Sequence, residues 1–188
     1  MEATDCKIKG TMLLGAKKYL ENQFGAAYCN DKIKQYFNEN MILSSSWYKA
    51  ELLVKLFSES ANEKGIAYKD LTINFANYLL ESDLNGIYKF MLKLGGPKNI
   101  LGGISSLAKS YVNFAEHKSI TNMDGYHNAE VIVAPELSEF ILFSFEGGVR
   151  GILSVCGKQI SSFESTAKNS VSKNGILFSR YVCEVKYS

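Results

Sequence analysis

The spacing of apolar residues changes once along this chain of 188 residues, and the change falls close to His117. Before that point, apolar side chains recur every three or four residues, which is the spacing of an amphipathic helix. After it, several segments alternate apolar and polar residues, which is typical of half-buried antiparallel strands. Helices that precede a separate antiparallel sheet predict an α+β fold.

The first part of the chain is predicted to hold five or six helices. A helical break is predicted at Gly95-Gly96-Pro97, because neither glycine nor proline supports a helix interior. The first three predicted helices cover residues 11–23, a segment capped by Asn30 or Asp31 that ends at Phe37, and a segment from Trp47 to Gly65 capped by Ser44, Ser45 or Ser46. The fourth runs from Tyr68 to Leu79, and the sixth from Ile100 to Ala115. Between them, a fifth helix capped by Asp83 is predicted to carry Ile87, Phe90, Met91 and Leu94.

The remaining residues predict a sheet with one intervening helix. Extended segments at 119–123 and 129–134 flank Asp124-Gly125, a dipeptide that favours a hairpin turn. A helix is predicted at 136–146, and strands at 151–155, 159–164 and 177–187. We therefore expect one domain over residues 1–188, with a helical bundle at about 8–117 packed on an antiparallel sheet at about 118–188.

Composition and charge disfavour several functional classes. The 21 basic and 19 acidic residues give a net charge of +2, without a basic stripe, so no nucleic-acid binding is expected. No apolar run is long enough to span a membrane, and the amino terminus lacks the basic start and apolar core of a signal peptide. A cytoplasmic location is therefore expected. The four cysteines lack zinc-site spacing, which predicts free thiols, with a redox pair as the alternative.

Catalytic motifs are not recognisable, and we predict that the protein is not an enzyme. The sequence contains no Gly-x-Ser-x-Gly element, and the glycines around Pro97 lack the spacing of a phosphate-binding loop. A mainly apolar cavity between helices and sheet would instead be a natural ligand site. Five residues are candidates for lining such a cavity: Trp47, Phe90, Tyr111, Phe114 and His117.

Each candidate also has a structural interpretation. Trp47 could anchor a helix in the core, and aromatic residues at helical spacing usually pack there as well. His117 is expected at a helix end, where it either serves as an axial ligand or pocket switch, or meets the helix dipole. His127, beside Tyr126, is expected at the surface in a turn.

Several short motifs resemble those of one superfamily. The segment Lys9-Gly10-Thr11, followed by Leu20 and Phe24-Gly25, resembles the opening of haem nitric-oxide/oxygen-binding (H-NOX) domains. The end of the chain is similar to the wider superfamily, which includes 4-vinyl reductase sensor domains, TRAPP-type vesicle-tethering subunits and a myxobacterial paralogous family. The residues that carry this second likeness are Pro135, Phe145, Gly148, Gly151, Gly157, Gly175 and 181–185.

The resemblance implies a sensor domain that binds a small apolar or lipid-like molecule and signals to a protein partner. Its alternative is a non-enzymatic adaptor that forms a homodimer, as the trafficking subunits suggest. In H-NOX domains a helix histidine ligates haem iron and a Tyr-x-Ser-x-Arg motif holds the propionates. That motif is absent here, so no cofactor is predicted and haem is disfavoured; if haem bound, His117 would be its ligand.

Overall fold

The computed structural model describes residues 5–37, 42–86, 96–173 and 175–188. These residues form seven α-helices and six strands in an α+β arrangement, as predicted. The elements of the first half are β1 (Lys7–Lys9), α1 (Gly10–Phe24), α2 (Ala26–Phe37), β2 (Trp47–Lys49), α3 (Ala50–Lys64) and α4 (Tyr68–Asn85). The elements of the second half are α5 (Gly96–Gly102), α6 (Ile104–Lys109), β3 (Ala115–Met123), β4 (Tyr126–Val133), α7 (Ser138–Val155), β5 (Ile160–Lys173) and β6 (Ile176–Tyr187).

The carboxy-terminal sheet is antiparallel, with the strand order β3-β4-β6-β5. The predicted hairpin at Asp124-Gly125 joins β3 to β4, and Gly125 adopts the positive φ of 78° that this turn requires. Burial alternates along β4, so every second side chain points into the core. The predicted alternation of the last strand is confirmed from Cys183 onward, since Cys183, Val185 and Tyr187 are buried while Glu184 and Lys186 are exposed. Leu177, which was predicted on the same face, is exposed.

Two glycines allow α7 to pack directly on α4. A Cβ atom at Gly147 would collide with the carbonyl oxygen of Ile73, and one at Gly151 would lie 2.7 Å from that of Asn77. The spacing of four residues places both glycines on the same face of α7. The backbones of the two helices can therefore approach more closely than side chains would permit. We call this contact the α4–α7 seam.

The predicted caps of two early helices are wrong. α2 already begins at Ala26, because the Gly25 carbonyl that follows α1 accepts a hydrogen bond from Cys29 N–H, so Asn30 and Asp31 lie inside the helix. The three serines form a turn whose carbonyls at Ser44 and Ser46 accept hydrogen bonds from the first amides of α1.

Trp47 is also misplaced by the sequence pattern, since it begins a strand and not a helix. The strand Trp47–Lys49 pairs with β1, and α3 starts only at Ala50. The predicted end at Gly65 is confirmed by its left-handed conformation, with φ of 65°. Asp83 lies within α4. The helix that it was predicted to cap falls outside the described residues, as does Phe90.

The single helix predicted from Ile100 to Ala115 is wrong. The chain instead forms α5 and α6, interrupted at Gly103, and then becomes extended. Backbone hydrogen bonds join Lys9 N–H to the Tyr111 carbonyl and Asn113 N–H to the Lys7 carbonyl, so this segment pairs with β1. His117 consequently lies on β3 and not at a helix end, and the main sheet begins at Ala115.

Two further predictions in the second half are corrected. The strand predicted at 151–155 is the end of α7, because Gly147, Gly148 and Gly151 lie within that helix, where Gly147 and Gly151 form the seam. His127 is not in an exposed turn, since it lies on β4 and is fully buried. Its backbone pairs with Asn122 on one side and Val185 on the other, which places it in the sheet interior.

Candidate ligand cavity

A small apolar cavity lies between the helices and the sheet. Its volume is about 80 Å³, and its walls come from α1, α4, α6, β3 and α7 together with the segment between α6 and β3. Most of the lining side chains are aliphatic, among them Leu79, Leu107, Ile141 and Ile152. None of the described residues that line it carries a charge. Such a space favours a small neutral molecule.

His117 contributes a polar group to the cavity wall. The side chain is 8% exposed, because the alternation of β3 turns it inward, and its ring stacks on Phe145 with centroids 5.3 Å apart. Its Nδ1 atom is buried without a hydrogen-bond partner. Burial lowers the pKa of His117 to about 4, so the imidazole is neutral at pH 7.

Ser144 contributes a second polar group to the same cavity. It lies in the middle of α7, where a serine hydroxyl commonly donates to the carbonyl one turn earlier. Here the Oγ atom is buried and has no hydrogen-bond partner. Because buried polar atoms normally find partners, two unpartnered ones in one apolar wall are an unusual feature.

Leu79 and Tyr111 separate this cavity from an outer groove. Both residues line both spaces, and the outer groove has a volume of about 330 Å³ between α1 and α4. The Tyr111 hydroxyl donates a hydrogen bond to the Asp83 carboxylate. Burial raises the pKa of Asp83, and the hydrogen bond from Tyr111 partly offsets that rise. The tyrosine therefore stands between the interior and solvent.

Two of the five residues predicted to bind ligand meet at the cavity, namely Tyr111 and His117. Phe114 is 2% exposed and belongs to the core, without lining this cavity. Trp47 lies on β2, is 41% exposed and has Lys9 Nζ 4.5 Å from its ring centroid. Phe90 lies outside the described residues.

Sequence reasoning missed Ser144 as a site residue. A lone serine within the apolar run of α7 carries no motif that marks it, and its importance depends on the missing hydrogen-bond partner. Phe145 was noted only for its place in the superfamily resemblance. In the structure the centroid of its ring also lies 6.1 Å from that of Phe163 on β5, so Phe145 contacts both edge strands of the sheet.

The second histidine has a different environment and does not line the cavity. Its Nδ1 lies 3.2 Å from Asn122 Oδ1, and Asn122 Nδ2 donates to the Lys98 carbonyl at 2.6 Å. Because the amide oxygen can only accept, His127 Nδ1 carries the proton and Nε2 is left unprotonated and without a partner. Burial lowers the pKa of His127 to about 4. This network attaches the β3–β4 hairpin to α5.

Haem, which the H-NOX resemblance implies, does not fit the described residues. The cavity is several-fold smaller than the roughly 300–1,000 Å³ of usual ligand pockets. Both arginines already hold carboxylates: Arg150 binds Glu146 at 2.7 Å, and Arg180 binds Glu130 at 2.6 Å. His117 lies on a strand, whereas the resemblance implies a ligand on a helix.

The described ranges lack both a metal-binding cluster and a membrane-spanning helix. Residues 5–37, 42–86, 96–173 and 175–188 contain no group of three or more His, Cys, Asp or Glu side chains that could hold a metal ion. All four cysteines are free thiols, and three of them are buried. Across the same ranges, no helix is both long and apolar enough to cross a bilayer.

Known structures share the fold of this chain. No family model and no curated protein matches the sequence. An oxygen-binding H-NOX domain related to soluble guanylate cyclases, in its oxygen complex, superimposes with a TM-score of 0.71 at 12% identity, covering 95% of this chain and 94% of that one. A mutant H-NOX of T. tengcongensis gives 0.72 at 13% identity, with 95% and 97% covered. An H-NOX protein from S. oneidensis in the Fe(II)NO state gives 0.68 at 12%, with 95% and 99% covered. The chain therefore has an H-NOX-like fold.

Proposed function

We propose that this protein is a sensor domain that binds a small, mainly apolar molecule in the cavity between its helices and its sheet. The observation that carries the proposal is the apolar cavity of about 80 Å³, whose wall holds the unpartnered polar atoms of His117 and Ser144. Buried polar atoms without partners cost stability, and a bound ligand would recover that cost. The H-NOX-like fold supports a binding role.

The effect of ligand binding in the cavity would reach the sheet through Phe145. This residue lines the cavity, stacks on His117 of β3 and contacts Phe163 of β5. A ligand that displaced the Phe145 ring would change its contacts with both strands, because close-packed interiors transmit strain. β5 is an edge strand of the sheet, so a protein partner could bind there and read the change.

Binding is proposed over catalysis because the polar groups of the cavity do not form a reactive pair. A serine nucleophile requires a hydrogen-bonded base that a third group orients. Ser144 Oγ and His117 Nδ1 are each without a hydrogen-bond partner, so this relation is missing between them.

Haem is not the ligand that we propose, although the fold neighbours include haem proteins. Purified protein would be incubated with haem and followed by absorption spectroscopy. The expected result is no Soret band of a histidine-ligated complex, and His117→Leu should give the same spectrum as the native protein. A histidine-dependent Soret band would refute this part of the proposal.

Native mass spectrometry of protein purified from a heterologous host tests the binding function itself. We expect a monomer carrying a small co-purified mass, and we expect Ala108→Leu, which fills the cavity wall, to lose that mass. An empty, stable dimer would contradict the sensor proposal and favour the dimeric adaptor. The cytoplasmic location and the single domain over residues 1–188 are parts of the same proposal.

A further inference from the structure

We infer that the ligand of this cavity is a small neutral alcohol, whose hydroxyl group binds His117 Nδ1 and Ser144 Oγ while its short carbon chain fills the apolar remainder. This inference rests on the proposed binding function and specifies its chemical class. Three observations support it: the two polar atoms that have no hydrogen-bond partner, the absence of charge among the described residues of the cavity wall, and the volume of the cavity.

The polar end of the ligand follows from the two unpartnered atoms. His117 is 8% exposed, and both His117 Nδ1 and Ser144 Oγ are buried and lack partners in an otherwise apolar wall. A serine hydroxyl can donate or accept, and a neutral imidazole nitrogen does one or the other according to its tautomer. A ligand hydroxyl can also donate and accept, so it satisfies both atoms whichever tautomer is present. A carbonyl oxygen can only accept, and a hydrocarbon satisfies neither.

The neutral character of the ligand follows from the rest of the wall. The described lining residues carry no charge, and the buried imidazole is itself neutral at pH 7. A carboxylate or an ammonium group would enter without a counter-charge, which is strongly unfavourable in an apolar interior. Acids, amines and phosphorylated molecules are therefore poor candidates.

The size of the ligand follows from the cavity volume. A cavity of about 150 Å³ accommodates benzene, so the 80 Å³ found here corresponds to about three to four non-hydrogen atoms. Leu107, Ile141 and Ile152 provide aliphatic contacts for such a chain. 1-Propanol, with one oxygen and three carbons, matches both the volume and the single polar end.

A titration followed by methyl NMR tests the inference, with 1-propanol and 1-chloropropane as probes. The two molecules have nearly the same shape, but only the alcohol can donate a hydrogen bond. Methyl signals of Leu79, Leu107, Ile141 and Ile152 would report cavity occupancy. Both probes are expected to shift these signals in the native protein.

The variants separate recognition of the hydroxyl from occupancy of the cavity. Ser144→Ala should weaken 1-propanol binding about fivefold, the equivalent of one neutral hydrogen bond, and leave 1-chloropropane binding unchanged. Ser138→Ala is the matched control, because Ser138 is also a buried, unpartnered serine of α7 but does not line the cavity. It should change the affinity of neither probe. His117→Leu should repeat the Ser144→Ala result, and if that variant does not fold, the serine pair alone decides.

Each outcome has a distinct meaning. If Ser144→Ala lowers the affinity for both probes equally, or lowers neither affinity, the alcohol inference is overturned and the proposed binding function remains intact. If neither probe shifts the cavity methyl signals of the native protein, the space admits water only, and both the inference and the proposed function fail. A selective loss of 1-propanol affinity supports the inference.

Discussion

Two adjacent stripes on one side of α7 use small residues for opposite purposes. In one stripe, Gly147 and Gly151 let the backbone contact α4 directly, and an added methyl group would meet a carbonyl oxygen. In the neighbouring stripe, Ser144 and Gly148 line the cavity, and a Cβ atom at Gly148 would lie 3.7 Å from the nearest atom of Leu80. The first stripe is closely packed, whereas the second borders open space and leaves the Ser144 hydroxyl without a hydrogen-bond partner.

This difference separates a stripe that stabilises the fold from a stripe at which we propose ligand binding. Close packing contributes stability, and empty space with unpartnered polar atoms costs it. A tightly packed seam therefore lies beside a cavity that lowers the stability of the fold. Departures of this kind are expected at functional sites. The predictions below test the two stripes separately.

Acid should produce the largest effect, and it should act at the cavity through His117. Burial lowers the pKa of His117 from 6.5 to about 4, so the unfolded chain binds a proton in this window that the folded protein does not. The contribution of His117 to the free energy of unfolding is therefore fully present above pH 6.5 and decreases as the pH falls towards 4. At pH 4.5 the loss from this residue is about 2 to 3 kcal/mol.

Urea unfolding at pH 7 and pH 4.5 measures this loss. His117→Phe, which keeps a ring against Phe145, should lose about 2 to 3 kcal/mol less than the native protein between these pH values. His127 has the same shift in pKa, so it continues to contribute acid sensitivity in the variant. An identical pH dependence in the variant and the native protein would show that His117 is not buried as described.

Substitution of the seam should have the next largest effect. Gly147→Ala places a methyl group against the Ile73 carbonyl and should lower the free energy of unfolding by about 2 to 3 kcal/mol. Gly148→Ala, one residue along the same helix, meets only ordinary contacts. It should be neutral or stabilising by up to about 1 kcal/mol, since alanine is the better helix former.

Thermal or urea unfolding of the two alanine variants checks this contrast directly. Equal stability of Gly147→Ala and Gly148→Ala would remove the distinction between the two stripes. Gly148→Ala should also weaken ligand binding, because its methyl group enters the cavity wall.

Loss of the hydrogen bond between Tyr111 and Asp83 should have a smaller effect. Tyr111→Phe keeps the ring that separates the cavity from the outer groove but removes the donor to a partly buried carboxylate. We expect a destabilisation of about 1 to 2 kcal/mol at pH 7. The Asp83→Asn variant keeps an acceptor without the charge and should lose less. If Tyr111→Phe has no effect on unfolding, this wall is held by packing alone.

Trp47 should have the smallest effect on binding. Its ring is 41% exposed on β2 and contacts Lys9, away from the cavity wall. Trp47→Leu should leave the affinity for 1-propanol unchanged within error and should cost at most about 1 kcal/mol of stability, the value of an exposed cation–π contact. A clear loss of affinity, measured by the same NMR titration, would place the site elsewhere.

The fold class was predictable because the apolar period changes once along the chain. Local errors arose where pairing with distant residues overrode a local pattern. Tyr111 follows a helical period and Asn113 lies in the same predicted helix, yet both hydrogen-bond to β1, which the sequence did not identify as a strand. The position of His117 on β3 depends on that pairing. A histidine that looked like a helix cap therefore became part of a cavity wall.

The glycines of α7 were misread for a related reason. Gly147 and Gly151 look like helix breakers in isolation, and only the approach of α4 explains why a helix continues through them. Tyr111 and His117 were predicted from their chemistry to line a cavity, and both do so. Ser144 could not be, because its role depends on a hydrogen bond that is not made.

A crystal structure under xenon pressure tests the central claim most directly, because xenon occupies small apolar cavities without requiring polar contacts. We predict one xenon atom between α4, α6, α7 and β3, in contact with Leu107 and Phe145. A cavity that stays empty under pressure, or side chains that close this space completely, would contradict the account.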